Sequence, residues 1–135
     1  MQPLDRRILL VDDDGETCAA MAVMLEPSGY EVVPACTLAE ALSLAESGFF
    51  DLYLLDQKFP EGSGLELCRR IRQFDAETPI LFYSALGRSV DKQMAMAAGA
   101  QGYLKKPASL DVLEVTISHL IDVAEQVELK DVPQL

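Results

Sequence analysis

Short apolar runs alternate with longer stretches of helical periodicity along this chain. A run of apolar residues between charged or turn residues is typical of a buried strand, whereas apolar residues that recur every three or four positions indicate a helix. The predicted strands are residues 8–11, 30–33, 52–55, 79–83 and 102–104. Because a helical stretch follows each strand, the sequence predicts an α/β fold, a doubly wound parallel sheet of five strands with helices on both faces.

The helical stretches are bounded by residues that start or stop helices. They are residues 15–26, 38–47, 65–74 and 91–98, and a last helix that begins at Ser109. Thr37 and Glu40 have the spacing of a capping box at the start of the second helix. The segment 59–64 contains one proline and two glycines and is therefore predicted to be a loop.

The chain is strongly acidic, with 11 Lys and Arg residues against 22 Asp and Glu residues and a formal net charge of −11. Half of its 135 residues are hydrophobic, which is enough to form the core of one domain and too much for a disordered polyanion. Because phosphate backbones and anionic lipids repel a net anion, we expect this domain to bind neither nucleic acid nor membranes directly.

Three cysteines, Cys18, Cys36 and Cys68, do not have the spacing of a metal site, and we expect them to be small buried residues in a reducing compartment. The first apolar run reaches Asp12 after four residues, which is too short for a signal-peptide core. No apolar run approaches the length of a membrane span. These features predict a cytoplasmic protein.

Polar residues directly follow four of the five predicted strands. They are Asp12, Asp13 and Asp14 after the first strand, Asp56 after the third, Ser84 after the fourth, and Lys105 and Lys106 after the fifth. Ligands of a doubly wound sheet bind beyond the carboxyl ends of its strands, so we expect most of these side chains to meet. Asp14 is expected to cap the first helix instead, and Lys105 to remain in solvent. The carboxylates repel one another unless a cation offsets their charge, and Mg²⁺ prefers oxygen ligands of this kind. A carboxylate can attack phosphorus to form an acyl phosphate, while a metal, a lysine and a hydroxyl neutralise and orient the transferred group.

Four segments at these strand ends resemble the receiver domain of two-component response regulators. They are residues 8–14 (ILLVDDD), 51–64 (DLYLLDQKFPEGSG), 79–85 (PILFYSA) and 99–107 (GAQGYLKKP). The resemblance covers about residues 6–122 and implies a flavodoxin-like sheet with the strand order 2-1-3-4-5. Residues 123–135 would then form an acidic C-terminal extension of the last helix or a linker.

The resemblance also implies a role for each of these polar residues. Asp56 matches the phosphoacceptor. Asp13 matches a direct ligand of Mg²⁺, with Mn²⁺ as the alternative ion, and Asp12 matches a ligand that more often acts through water. Asp56 itself and the backbone carbonyl of Lys58 would complete the metal site.

The remaining matched residues would respond to the phosphoryl group. Ser84 matches the switch hydroxyl, and Ser84 and Ala85 would both bind the phosphoryl group. Tyr103 matches the aromatic residue whose rotamer reports phosphorylation, and Lys106 matches the ammonium partner. The Lys106–Pro107 peptide bond is expected to be cis.

The function implied by the resemblance is phosphorylation-controlled signalling. The domain would accept a phosphoryl group from a sensor histidine kinase or a histidine phosphotransfer protein and then change its affinity for partners. It would not be an enzyme in the usual sense, because it would catalyse only its own phosphorylation and slow dephosphorylation. The fourth helix, the fifth strand and the last helix are the expected surface of a homodimer, and the uncharged segment 17–25 of the first helix is the expected docking site of the kinase or phosphotransfer partner.

Two positions depart from the family pattern in ways that would alter the lifetime of an acyl phosphate. Lys58 is a long cation two residues after the phosphoacceptor, where it could attract a phosphodonor or shield the acyl phosphate. Leu86, two residues after Ser84, cannot orient a hydrolytic water, which predicts slow self-dephosphorylation.

Two other functions fit parts of the sequence. Residues 11–17 (VDDDGET) also resemble the nucleophile loop of haloacid-dehalogenase-type phosphatases, in which Asp12 would be the nucleophile and Asp14 the general acid. Glu16 is an insertion in that motif, and the match leaves Asp56 unexplained. The other alternative is an unphosphorylated receiver-like interaction domain, although loss of the acidic pair or the lysine usually marks such domains.

Overall fold

The computed structural model describes residues 6–130, in which strands and helices alternate. The strands are β1 (Arg6–Val11), β2 (Tyr30–Ala35), β3 (Leu52–Leu55), β4 (Lys58–Phe59), β5 (Gly62–Ser63), β6 (Ile80–Ser84) and β7 (Gly102–Lys105). The helices are α1 (Gly15–Leu25), α2 (Leu38–Ser47), α3 (Gly64–Arg72), α4 (Ser89–Ala98) and α5 (Leu110–Lys130), and a short 3₁₀ helix, Glu26–Ser28, follows α1.

Five of the strands form one parallel sheet in the order β2-β1-β3-β6-β7. Without the short pair β4 and β5, this order is 2-1-3-4-5, and the predicted doubly wound, flavodoxin-like fold is confirmed. The chain runs from β1 outward to β2 and then back across β1 to β3. The carboxyl ends of β1 and β3 therefore border the crevice at which such sheets bind ligands.

Helices cover both faces of the sheet. On one face, α1 and α5 pack apolar side chains such as Leu25 and Ile117 against Ile8 and Leu54 of the strands. On the other face, α2, α3 and α4 pack small and branched side chains around the rings of Tyr53 and Phe82. Cys18 and Cys68 are buried in these two cores, whereas Cys36 is only half-buried. The strands read as continuous apolar runs because both of their faces are buried.

The structure corrects several boundaries predicted from sequence. The segment 59–64 is not an open loop, because β4 and β5 pair antiparallel around a tight turn, and its last residue, Gly64, begins α3. That helix ends at Arg72 rather than at Phe74. β2 continues through Pro34, which is tolerated because β2 is an edge strand and needs no donor there. α4 begins at Ser89, two residues before the predicted start.

The predicted cap of α2 is present but differs in one partner. The hydroxyl of Thr37 accepts a hydrogen bond from the Glu40 amide at 3.1 Å. The Glu40 carboxylate accepts from the amide of Cys36 at 3.0 Å, one residue before the N-cap, instead of from Thr37. These two hydrogen bonds fix the first turn of α2 to the segment that directly follows β2.

The last helix, α5, spans 21 residues and buries one stripe, which includes Leu113, Ile117 and Ile121. Arg6 at the start of β1 contacts Asp122 at 3.1 Å and Glu125 at 3.4 Å, which fastens the later turns of α5 to the sheet. The division into a domain at 6–122 and an extension at 123–135 stays a prediction, and residues 131–135 lie outside the described residues. Neither α5 nor any other helix in residues 6–130 is long and apolar enough to cross a membrane.

Candidate functional site

Three carboxylates converge at the carboxyl ends of β1 and β3. Val11 and Leu55 are paired in the sheet, so Asp12 and Asp56, which follow them, lie side by side. These two residues and Asp13 each place one oxygen within 4.8 Å of the others. Asp12 is 4% exposed and Asp56 is half-buried, whereas Asp13 faces solvent. The cluster therefore has a buried side and an open mouth.

Lys106, directly after β7, reaches the same cluster from the other side of β3. Its Nζ lies 2.9 Å from Asp12 Oδ2 and 3.2 Å from Asp56 Oδ2. Burial lowers the pKa of Lys106, but the hydrogen bond with Asp12 and the charges of Asp56 and Asp12 outweigh burial, and the pKa lies above its ordinary value. The ammonium group therefore stays charged. The Lys106–Pro107 peptide bond is cis.

Ser84 ends β6 and is 1% exposed. Its hydroxyl oxygen accepts a hydrogen bond from the Leu86 amide at 3.2 Å, and its backbone oxygen accepts from the Lys106 amide at 2.7 Å. These contacts tie the ends of β6 and β7 together. The neighbouring Ala85 is exposed.

The loop that follows Asp56 depends on the absence of a side chain at position 64. A Cβ atom at Gly64 would lie 2.1 Å from the backbone oxygen of Asp56, a separation that no side chain tolerates. The Gly64 amide donates to the Gln57 backbone oxygen at 2.9 Å, and the Gln57 amide donates to Asp56 Oδ1 at 2.6 Å. Gly64 therefore positions the backbone that orients the Asp56 carboxylate.

Gln57 is a residue of this site that the sequence did not single out. Its side chain is 6% exposed, and its Oε1 accepts a hydrogen bond from the Tyr103 hydroxyl at 2.7 Å. The Tyr103 hydroxyl also lies within hydrogen-bonding distance of the Leu86 backbone oxygen. Burial raises the pKa of the Tyr103 hydroxyl, which therefore remains protonated and able to donate. Residues 57 and 103 are far apart in sequence, so no local pattern could have indicated their contact.

The other lysines lie outside the cluster. Lys105 is exposed, and its aliphatic chain packs against Gly87, where a Cβ atom would clash with it. Lys58, at the start of β4 and two residues after Asp56, is exposed. Of the two adjacent lysines at the end of β7, Lys106 points into the cluster and Lys105 into solvent, as predicted from the sequence.

Asp14 caps α1 rather than contributing to the cluster. Its carboxylate accepts from the Glu16 amide at 3.1 Å and from the Thr17 hydroxyl at 2.8 Å. The hydrogen bonds from Thr17 and Glu16 lower the pKa of Asp14. A general acid must hold a proton, so this environment opposes the catalytic role that the phosphatase alternative assigns to Asp14.

A family model described as the response regulator receiver domain matches residues 8–118. The chain belongs to this family. Because the chain has the receiver fold and belongs to the receiver family, the alternative of a haloacid-dehalogenase-type phosphatase is discarded. Response regulator receivers are not enzymes in the classical sense, and the family implies interaction with histidine kinases or phosphotransfer proteins.

Several curated proteins contain a segment similar to this receiver chain. It is 37% identical over 106 residues to the alkaline phosphatase synthesis transcriptional regulatory protein PhoP of Bacillus subtilis, covering 78% of this chain and 44% of PhoP. It is 37% identical over 120 residues to the transcriptional regulatory protein CrdR of Helicobacter pylori, covering 88% of this chain and 56% of CrdR. The chain thus spans about half the length of these relatives.

Solved receiver domains have the same architecture as this one. A CheY-like receiver domain protein from Methanospirillum hungatei superposes with a TM-score of 0.86 and 31% identity, covering 90% of this chain and 98% of that one. The receiver domain of a LuxO repressor protein from Vibrio parahaemolyticus gives a TM-score of 0.88 at 25% identity, covering 96% of this chain and 100% of that one.

Proposed function

We propose that this receiver domain accepts a phosphoryl group on Asp56 and thereby switches its affinity for partners. The observation that supports this role most directly is the contact of Lys106 Nζ with both Asp12 and Asp56 at 2.9 and 3.2 Å. A fixed ammonium beside a half-buried carboxylate is the arrangement needed to neutralise oxygens of a phosphoryl group transferred to that carboxylate. Lys106 bridges the two carboxylates, and Asp56 is the more exposed of the pair.

The transfer begins with an Asp56 oxygen attacking the phosphorus of a phosphohistidine. The new P–O bond forms as the P–N bond breaks, and the released imidazole nitrogen regains a proton from solvent. Lys106 pairs with a phosphoryl oxygen in place of one of its present carboxylate contacts. The Ser84 hydroxyl, now bonded by the Leu86 amide, donates to another oxygen, and the backbone amide of Ala85 adds a further donor.

The donor set fits a hard divalent cation. Three carboxylates within 4.8 Å of one another carry three negative charges, against one positive charge on Lys106. Asp12, Asp13, Asp56 and the backbone carbonyl of Lys58 would hold Mg²⁺, or Mn²⁺ as the alternative ion. When bound, the metal neutralises charge on the transferred phosphoryl oxygens. In its absence, Lys106 partly offsets the charge of the cluster.

The phosphodonor would be a sensor histidine kinase or a histidine phosphotransfer protein that docks beside α1. An apolar groove of about 350 Å³ lies between α1 and the segment after β7. Met21 and Met24 line one side of the groove, and Pro107 and Leu113 line the other. Lys106 also lines this groove, so a helix seated there would bring a histidine close to Asp56.

Signalling would leave the domain through the surface formed by α4, β7 and α5, on which Tyr103 lies. We propose that this surface also forms a homodimer. Val90 and Met94 of α4 are nearly half exposed and supply apolar area for such a contact. We place the protein in the cytoplasm, where a histidine kinase would present its phosphoryl group. The acidic domain itself would bind no nucleic acid and no membrane.

The domain would catalyse its own phosphorylation and then hydrolyse the acyl phosphate slowly. Leu86 has no side-chain group that could orient a water for attack on phosphorus. Lys58 is exposed two residues after Asp56, and we propose that its charge acts on an incoming donor.

Intact-mass measurement tests the proposal. With Mg²⁺ and acetyl phosphate, the wild-type chain should gain the mass of one phosphoryl group, and Asp56→Asn should not. Asp111→Asn, an exposed substitution of the same type in α5, should be phosphorylated like the wild type. Unchanged labelling of Asp56→Asn would reject this acceptor. Failure of the wild-type chain to gain mass, with this donor and with a phosphorylated histidine phosphotransfer protein, would favour the unphosphorylated interaction domain.

A further inference from the structure

The buried amide of Gln57 connects two parts of the site that are otherwise separate. Gln57 directly follows the proposed phosphoacceptor, and its backbone amide donates to the Asp56 carboxylate at 2.6 Å. Its side chain extends in the other direction and accepts from the Tyr103 hydroxyl at 2.7 Å. A polar side chain that is 6% exposed stays buried at little cost only when it is hydrogen-bonded, and Tyr103 supplies a bond to its oxygen.

The Tyr103 hydroxyl lies between the loops that follow β3 and β6. Its single proton faces two acceptors, the side-chain oxygen of Gln57 and the backbone oxygen of Leu86. The Leu86 amide in turn donates to the hydroxyl of Ser84 at 3.2 Å. Tyr103 thus contacts both the loop that follows Asp56 and the loop that follows Ser84.

The ring of Tyr103 is also held by packing. It lies nearly parallel to the ring of Phe82, with ring centroids 6.0 Å apart and an interplanar angle of 17°. Packing alone favours burial of the ring, but it does not fix the position of the hydroxyl. The two acceptors, Gln57 Oε1 and the Leu86 backbone oxygen, together fix the position of the hydroxyl, and loss of the Gln57 acceptor changes the side-chain equilibrium by about twofold to tenfold.

We propose that Gln57 is a positioning residue that holds Tyr103 in its inward position before any phosphoryl group is present. The inference rests on the proposed function, in which Tyr103 lies on the surface through which signalling leaves the domain. The inward position of Tyr103 is then populated in the unphosphorylated domain, and phosphorylation adds little to it. The surface of α4, β7 and α5 consequently has a basal affinity for its partner, because one component of the switch is already in place.

The position of Tyr103 can be followed by ¹⁹F NMR of protein labelled with 3-fluorotyrosine. The chain has four tyrosines, and Tyr103→Phe identifies the resonance that belongs to Tyr103. A soluble paramagnetic chelate broadens resonances of exposed rings, so the broadening measures how far the ring has moved outward. Tyr83, which is half-buried and accepts a hydrogen bond from the Ala108 amide, serves as the internal reference.

Gln57→Met keeps the volume of the side chain and removes the acceptor. In the unphosphorylated state, broadening of the Tyr103 resonance should increase several-fold in Gln57→Met, while the Tyr83 resonance is unchanged. Gln57→Asn, whose amide is one methylene group short of Tyr103, should give the same increase and serves as the second variant if Gln57→Met does not fold. Unchanged broadening of Tyr103 in the folded variant would overturn the proposal, as would a wild-type Tyr103 that is already fully exposed to the chelate.

Phosphorylation of the same samples separates this inference from the proposed function. With acetyl phosphate and Mg²⁺, the wild-type Tyr103 resonance should change little, whereas in Gln57→Met the broadening should fall towards the wild-type value. A large inward movement of the wild-type Tyr103 on phosphorylation would reject the role of Gln57. Absence of the phosphoryl mass gain would reject the role of Asp56 and leave the unphosphorylated comparison valid, because that comparison needs no donor.

Discussion

Lys106 Nζ lies 3.2 Å from Asp56 Oδ2, although fifty positions separate the two residues along the chain. The contact exists because β3 and β7 are parallel strands of one sheet and both end at its carboxyl edge. It places the cation that a phosphoryl group would need beside the carboxylate that would receive it. The same contact has consequences for stability, metal binding and chemistry that can be measured separately.

Lys106→Met should destabilise the domain in the absence of Mg²⁺. The substitution leaves Asp12 and Asp56 without their common cation, and an unpaired, partly buried charge typically costs about 1–3 kcal/mol in the free energy of unfolding. Urea unfolding in EDTA measures the loss. Lys105→Met, at the exposed neighbouring lysine, is the matched control and should change stability much less. Equal effects of the two substitutions would contradict the inward ion pairs.

Mg²⁺ should stabilise the folded chain, and Asp13→Asn should weaken this effect. A ligand that binds only the folded state adds about 2.7 kcal/mol at a concentration one hundred times its dissociation constant. Asp13 supplies the exposed oxygen of the cluster, so its loss should lower the affinity for the metal with little change in EDTA. The midpoint of thermal unfolding, measured at increasing Mg²⁺ concentrations, gives the stabilisation of the wild type and its reduction in Asp13→Asn. Asp111→Asn is the control. A midpoint independent of Mg²⁺ in the wild type would argue against the metal site.

Gly64→Ala should both destabilise the domain and impair phosphorylation. The new Cβ would meet the backbone oxygen of Asp56 at 2.1 Å, so the loop after β3 must shift, at a cost of about 1–3 kcal/mol. Gly15→Ala is the control, because a Cβ at Gly15 meets nothing within 4 Å and alanine favours the helix. Urea unfolding and the intact-mass assay report the two effects. Normal phosphorylation of Gly64→Ala would show that the loop tolerates the shift.

Asp75 should contribute a part of the pH dependence of stability in acid. Burial by itself raises the pKa of this carboxyl, but hydrogen bonds from Thr78, Tyr53 and Glu77 outweigh burial, and the pKa lies below its ordinary value of 3.8. Because the folded pKa is the lower one, the stabilisation is present above the ordinary value. It is lost as the pH falls through 3.8 towards the folded value.

Asp75→Asn removes this contribution. The variant should be less stable than the wild type at pH 7 by about 1–3 kcal/mol, and the difference should shrink as the pH is lowered past 3.8. Urea unfolding between pH 7 and pH 3 measures the difference at each pH. Asp111→Asn, in the first turn of α5, removes only a weak interaction with the helix dipole and should show a smaller difference than Asp75→Asn at pH 7. A constant difference between wild type and Asp75→Asn would show that titration of Asp75 plays no part.

Leu86→Gln should shorten the lifetime of the phosphorylated domain. The apolar side chain of Leu86 cannot hold a water near Asp56, whereas an amide at this position can donate to one. One added hydrogen bond in the transition state corresponds to about a fivefold to tenfold faster loss of the phosphoryl group. Decay of the intact-mass gain after removal of the donor gives the rate, and Leu86→Met is the apolar control. If Leu86→Gln and Leu86→Met lose the phosphoryl group at the same rate, the side chain at position 86 does not position the hydrolytic water.

The local elements of the fold could be predicted because each depends on neighbours in the chain. The apolar runs at β1 and β3 predicted buried strands, and the alternation with helices predicted the parallel sheet. The pairing of β4 with β5 escaped prediction because two-residue strands are too short to show a period. α4 begins two residues before its predicted start because Arg88 pairs with Asp91. The spacing of these two residues in the sequence is equally compatible with a loop, so it did not indicate the contact.

The sequence by itself determined which chemistry is available in this protein. Carboxylates, a hydroxyl and a lysine directly follow apolar strands, and in a parallel sheet all strand ends of one kind lie at one edge. Only the tertiary structure decided which of them meet. Lys106 Nζ contacts Asp12 and Asp56 at the same time, the Lys106 amide donates to the backbone oxygen of Ser84, and Gln57 reaches Tyr103. These choices depend on strand register and side-chain packing between distant segments, which a one-dimensional pattern does not contain.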